Sequence, residues 1–185
     1  MKRSAKVISV FGSSRPREGD AEYAGAQSLG AELARKGLVV CSGGYGGVME
    51  AVSRGAKEAG GKTLGVTAEF FRSRANAWID EEVRVKSWQD RLFELIKRGH
   101  GYVACPGGTG TLVELAVVWE MLNKSVMKQR PMVVVGEFWR PVIERVREAE
   151  LGHPSRWAER GAPLLHEAAS AAEAAAYLAD YFEAR

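Results

Sequence analysis

Short, uninterrupted apolar runs recur along the chain, each followed by a polar loop and then by a stretch with helical spacing. The runs at 7–11, 38–41, 63–67, 83–85, 101–105 and 132–135 predict strands. They are three to five residues long, bounded by turn residues, and mostly lack the in–out alternation of a half-exposed sheet. Between them, helices are predicted over 21–36, from the 43–47 loop to about 59, over 88–98, from the 106–111 turn to 123, and over 140–150. The Ala-rich stretch at 167–179 predicts one more, on helix propensity. Asp20 and Ser87 stand where helix caps belong, and Gly37 and Gly60-Gly61 stand where helices end. Residues 68–80 break the pattern, with Phe70, Phe71 and Trp78 among charges. Strands alternating with helices predict an α/β protein: a Rossmann-like, doubly wound parallel sheet flanked by helices, in a single domain spanning residues 1–185.

Composition narrows the function. The chain has 185 residues, enough for one self-sufficient core. At 46% hydrophobic and 26% charged, it is not a disordered sequence. The 26 basic and 23 acidic residues leave +3, too little to imply a nucleic-acid partner. No apolar run approaches the ~18–20 residues that span a membrane. The basic start, Met1-Lys2-Arg3-Ser4-Ala5-Lys6, leads into a strand rather than a cleavage site, and two cysteines make no disulfide framework. A cytoplasmic protein is expected. Glycine is the outlier, at 21 residues against a usual share of about 7%.

Those glycines concentrate where chemistry is expected. In doubly wound sheets, ligands bind beyond the carboxyl ends of the strands. The first strand ends in Gly12-Ser13-Ser14-Arg15, and the second in Ser42-Gly43-Gly44-Tyr45-Gly46-Gly47. The strand ending at Cys105 runs into Pro106-Gly107-Gly108-Thr109-Gly110-Thr111. Two of these loops open helices, whose free N–H groups and positive dipole end favour an anion. Glycine lets a phosphate approach the backbone; Ser13, Ser14, Thr109 and Thr111 add hydroxyls, and Arg15 a charge. A phosphorylated small molecule is the expected ligand. The glycine spacing is not the dinucleotide fingerprint, and no Walker lysine follows it. Metal ligands at zinc spacing are absent, and no lysine in these loops stands ready for a pyridoxal Schiff base, so neither metal nor cofactor is expected.

Pro106-Gly107-Gly108-Thr109-Gly110-Thr111-Leu112-Val113-Glu114 resembles the PGGxGTxxE signature of the LOG (LONELY GUY) family, often labelled "lysine decarboxylase". Gly12-Ser13-Ser14, Ser42 to Glu50, and Arg91, fifteen residues before Pro106, also fall where that family places them. The resemblance covers roughly residues 6–135. It implies a Rossmann-like homodimer that hydrolyses nucleoside 5′-monophosphates, such as cytokinin riboside monophosphates or AMP, to free base and ribose 5-phosphate. It implies Arg91 and Glu114 as the catalytic pair, and Gly107, Gly108, Gly110 and Thr111 as the phosphate cradle. One string departs: where the family reads Met-His-x-Arg-Lys, this chain reads Trp88-Gln89-Asp90-Arg91-Leu92. Related branches resemble non-catalytic carriers of nucleotides or the molybdenum cofactor, the alternative function.

Several of these residues also have plain structural readings. Thr111 and Glu114 have the spacing of a helix capping box, and Arg91 can pair with Glu94 along a helix face. Gly43, Gly44, Gly46 and Gly47 can form a tight turn, although ligand contact is favoured. Cys41 and Cys105 are expected to be buried and inert. Phe70, Phe71, Trp78 and Trp88 can stack on a base or pack a dimer face; packing is favoured, with Trp88 the best candidate for ligand contact.

Overall fold

The computed structural model describes residues 5–151 and 164–184. Within them, seven strands form one parallel sheet: β1 (Val7–Phe11), β2 (Val39–Ser42), β3 (Thr63–Ala68), β4 (Glu81–Val85), β5 (Gly101–Ala104), β6 (Met132–Val135) and β7 (His166–Ala168). The helices are α1 (Ala21–Arg35), α2 (Val48–Glu58), α3 (Trp88–Arg98), α4 (Thr109–Asn123), α5 (Arg140–Leu151) and α6 (Ala171–Glu183), and a short 3-10 turn covers Glu69–Phe71. The order β4-β3-β2-β1-β5-β6-β7 builds outward from β1 in both directions. The winding therefore reverses between β1 and β5, where Ile8 pairs with both Val40 and Gly101. A reversal of this kind opens a crevice at the strands' carboxyl ends.

The central strands are buried on both faces, which is why their sequence reads as continuous apolar runs. Neighbouring residues nevertheless serve different cores. Val10, Val40 and Val103 pack with Leu29, Leu33 and Leu178 of α1 and α6. Phe11, Cys41, Tyr102 and Ala104 pack with Leu95, Leu115 and Ile143 of α3, α4 and α5. The doubly wound sheet expected from the sequence is present.

Local differences have physical causes. The stretch expected as one helix over 167–179 splits into β7 and α6. His166 and Ala168 complete the sheet edge beside Val133 and Val135, and Ser170 then caps α6 by accepting from the Glu173 N–H. Edge pairing outweighs the helix propensity of Glu167 and Ala168. Ser87 caps α3 as expected, in a reciprocal capping box with Asp90. Asp20 precedes α1, but its carboxylate accepts from the Arg17 N–H at 2.7 Å instead of capping the helix.

Candidate functional site

Three loops meet at the reversal point. The Ser13 N–H donates to the Pro106 carbonyl at 3.2 Å, and the Val48 N–H donates to the Ser13 carbonyl at 2.8 Å. These bonds tie the ends of β1, β2 and β5 into one surface. It forms part of a cleft of about 940 Å³. Gly12, Ser13 and Ser14 line the cleft from β1, and Gly107, Gly108, Thr109, Gly110 and Thr111 line it from β5 and α4. Arg91 of α3 and Glu114 of α4 complete the set brought together there.

Gly43, Gly44, Gly46 and Gly47 do not line the cleft. Two of them support its lining. The Gly43 carbonyl accepts from Arg91 Nη2 at 3.0 Å, and a Cβ on Gly43 would lie 1.6 Å from that nitrogen. Gly47 has φ +70°, and a Cβ there would lie 2.4 Å from the Ser13 carbonyl oxygen. Only glycine lets the second loop sit this close behind the first.

The β5 loop has the opposite character. A Cβ at Gly108 or Gly110 would meet nothing within 4 Å, and neither glycine has a positive φ. Packing among the described residues therefore gives no reason for glycine at either place. Gly108 is the N-cap of α4 and supplies no side chain. The Thr109, Gly110 and Thr111 N–H groups precede the first helical bond, from Leu112 N–H to the Gly108 carbonyl. No acidic residue occupies that first turn. The capping-box reading of Thr111 and Glu114 is corrected here: Thr111 is already the third helical residue, and Glu114 lies a full turn inside α4.

Arg91 is 7% exposed. Its Nε donates to the Val66 carbonyl at 2.8 Å. Its guanidinium carbon lies 5.3 Å from the Tyr45 ring centroid and 5.6 Å from that of Phe71. Pairing with Glu94 does not occur; Glu94 holds Arg98 at 2.6 Å instead. Burial lowers the Arg91 pKa, and the Glu114 charge partly restores it. Burial raises the Glu114 pKa to about 7, with Arg91 pulling the other way. The two charges thus feel each other across the cleft, yet no ion pair joins them within 4.0 Å. A carboxyl poised near neutrality beside a fixed cation can exist as acid or base at working pH.

The same burial silences the cysteines: both the Cys41 and Cys105 thiols are pushed up to about 12. Among the described residues, no group of three His, Cys, Asp or Glu side chains is placed to hold a metal ion. No helix of the described residues is long and apolar enough to cross a membrane.

The cleft also holds residues that sequence reasoning did not assign to it. Asp20 and Glu22 enter from the start of α1, and Phe138 from the turn after β6. Their signal was position, since each closely follows a strand's carboxyl end on the chain or begins the next helix. Tyr45 and Phe71 line it too, Tyr45 from within the glycine loop and Phe71 from the irregular segment. Trp88, the aromatic residue singled out for ligand contact, lines the cleft as well. Met49 is 8% exposed and reaches both core and cleft, with its sulfur 3.5 Å from Arg91 Nη2.

Comparison with known proteins agrees with the architecture. Residues 5–150 match the SLOG cluster4 family. Over 118 residues, the chain is 36% identical to a cytokinin riboside 5′-monophosphate phosphoribohydrolase of Mycobacterium marinum, covering 60% of this chain and 62% of that protein. It is thus aligned with less than two thirds of that relative's length. A protein of the same description from Rhodococcoides fascians is 27% identical over 152 residues, covering 78% of this chain and 75% of its own length. Among solved structures, the molybdenum cofactor binding protein of Rippkaea orientalis superposes with a TM-score of 0.76 at 22% identity, covering 97% of this chain and 98% of that one.

Proposed function

The chain belongs to the SLOG cluster4 family, and from that premise we propose that it is a nucleoside 5′-monophosphate phosphoribohydrolase of the cytokinin riboside monophosphate or AMP type. The observation that carries this reading is the placement of Glu114. Its carboxyl, raised to about 7, opens onto the same cleft as the unbonded N–H groups at the start of α4 and the buried Arg91 cation. The 5′-phosphate binds at the α4 N-terminus, where Gly108 and Gly110 leave room for its oxygens and Ser13, Ser14 and Thr109 add donors. The ribose then lies toward Glu114, one turn along the helix.

Hydrolysis breaks the C1′–N bond, and its electron pair leaves with the base nitrogen. Water forms the new C1′–O bond, and its proton passes to the Glu114 carboxylate and on to the departing base. The sugar carries oxocarbenium character on the way, which the carboxylate stabilises. Arg91 cannot be deprotonated at working pH and is held by two carbonyls, so it acts as a fixed charge that keeps Glu114 partly ionised and orients the nucleotide. The Mycobacterium and Rhodococcoides relatives carry this activity in their descriptions. A homodimer in the cytoplasm is part of the proposal.

One observation favours a second reading, a carrier or sensor that binds a nucleotide or a molybdenum-cofactor-like ligand without turnover. Leu92 lines the cleft where the LOG string has lysine, so one polar group is missing from the pocket. The test uses AMP, GMP, CMP, UMP and isopentenyladenosine monophosphate, with chromatography for free base and calorimetry for binding. The hydrolase reading expects base release that disappears in Glu114→Gln and Arg91→Ala, with binding retained in Glu114→Gln. Binding without release from any of the five moves the assignment to the carrier.

A further inference from the structure

The cleft has two chemically different ends. Backbone N–H groups and hydroxyls make one. Tyr45, Met49, Phe71, Trp88 and Leu92 gather around Arg91 at the other. Within that apolar end, Phe71 stands out: it is 39% exposed while lining the cleft, and its neighbour Phe70 is 69% exposed. Phe71 is held from two sides by edge contacts, with Tyr45 at 5.6 Å and 75° and Phe70 at 5.3 Å and 81°. It is a positioned ring with unburied area facing a pocket, and burying such area favours binding.

Several of the polar groups nearby are already engaged. The Tyr45 hydroxyl donates to the Ala68 carbonyl at 3.1 Å and accepts from the Ala68 N–H at 2.9 Å. The Ser73 hydroxyl donates to the Phe71 carbonyl at 3.2 Å. Arg91 Nε and Nη2 are committed to the Val66 and Gly43 carbonyls. Those committed atoms are poorly placed to read the hydrogen-bonding edge of a ring, whereas Phe71, with the Arg91 guanidinium carbon 5.6 Å from its centroid, keeps 39% of its surface exposed.

We propose that Phe71 is the stacking residue for the ligand's planar heteroaromatic ring, so that the ring is selected by its face and purines differing at the 6-position are accepted alike. This rests on the proposed placement of the phosphate at the α4 N-terminus. It does not require turnover, because stacking acts in binding. Base–aromatic stacking is sequence-tolerant, since every base presents a π-face.

Isothermal titration of the intact protein with AMP, IMP and ribose 5-phosphate tests it, in wild type, Phe71→Ala, Phe71→Leu and Phe71→Tyr. AMP and IMP are expected to bind wild type within about fivefold of each other, and Phe71→Ala to weaken both by roughly tenfold or more. Ribose 5-phosphate, lacking the heteroaromatic ring, should bind all four proteins equally, which also shows that the variants are folded. Phe71→Tyr should keep AMP affinity and Phe71→Leu should lose it. Unchanged AMP affinity in Phe71→Ala, equal loss for ribose 5-phosphate, or full affinity in Phe71→Leu overturns the proposal. Tight AMP binding without base release defeats the hydrolase reading and leaves this comparison intact. Failure of wild type to bind either ligand defeats both.

Discussion

Gly43 shows how a residue can serve a site from behind it. Its missing side chain is the space that the Arg91 guanidinium occupies. Gly43→Ala places a methyl group against Nη2 and the Met49 sulfur. The obstructing atoms belong to side chains, so the fold survives while the cation moves. Base release is expected to fall roughly a hundredfold, the scale of a misplacement of about 1 Å, with an unchanged far-UV circular dichroism spectrum. Release near the wild-type rate would show that the position of Arg91 is not critical. This role was not legible in the sequence. The 43–47 cluster reads as a ligand loop because glycine answers both to a ligand and to a neighbouring side chain. Only coordinates separate Gly43, filled by Arg91, from Gly108 and Gly110, filled by nothing among the described residues.

At the scale of elements, α3 and α4 carry the two groups proposed to react, Arg91 and Glu114, and their starting points decide where those groups point. The sequence located α3 correctly from Ser87 as its cap, and the structure completes a capping box there with Asp90, the third residue of the helix. Ser87→Ala removes the bond to the Asp90 N–H, and is expected to cost about 1 kcal/mol of stability by thermal or urea unfolding. A loss too small to measure would mean that packing alone holds the start of α3. In α4 the same reasoning misled, since Thr111 and Glu114 have the box spacing but the helix starts earlier, at Thr109. Gly108 offers no side chain to mark that start, so the spacing was the only visible signal. Strand β7 was hidden for a related reason. It has three residues, and an alanine-rich helix follows almost at once.

Across the whole molecule, the poised carboxyl has a measurable cost. The folded state holds Glu114 near 7, whereas the unfolded chain leaves it near 4.5. Between those values the unfolded state has released its proton and the folded state has kept it. Stability from this group therefore falls as pH rises through that window and levels off above it. Glu114→Gln abolishes the effect. The variant should gain stability relative to wild type between pH 4.5 and pH 8, on the order of 1–3 kcal/mol. A difference that does not change with pH would mean that the carboxyl is not held near neutrality. The doubly wound topology itself was legible from the apolar runs and glycine loops, because burial on both sheet faces leaves a coarse pattern in the sequence. What the pattern omits is the cleft's far side. Phe71 comes from a segment with no periodicity, and its place is set by the Tyr45 and Phe70 rings rather than by any local repeat.

The central claim is that this cleft cleaves a glycosidic bond and does not merely hold a nucleotide. The most direct measurement is a time course of wild-type protein with excess AMP at pH 8, quantifying adenine and ribose 5-phosphate together. Equal amounts of both, accumulating well beyond one equivalent per chain and absent with Glu114→Gln, are the expected result. AMP recovered intact, while still raising the melting temperature of the protein, would contradict it.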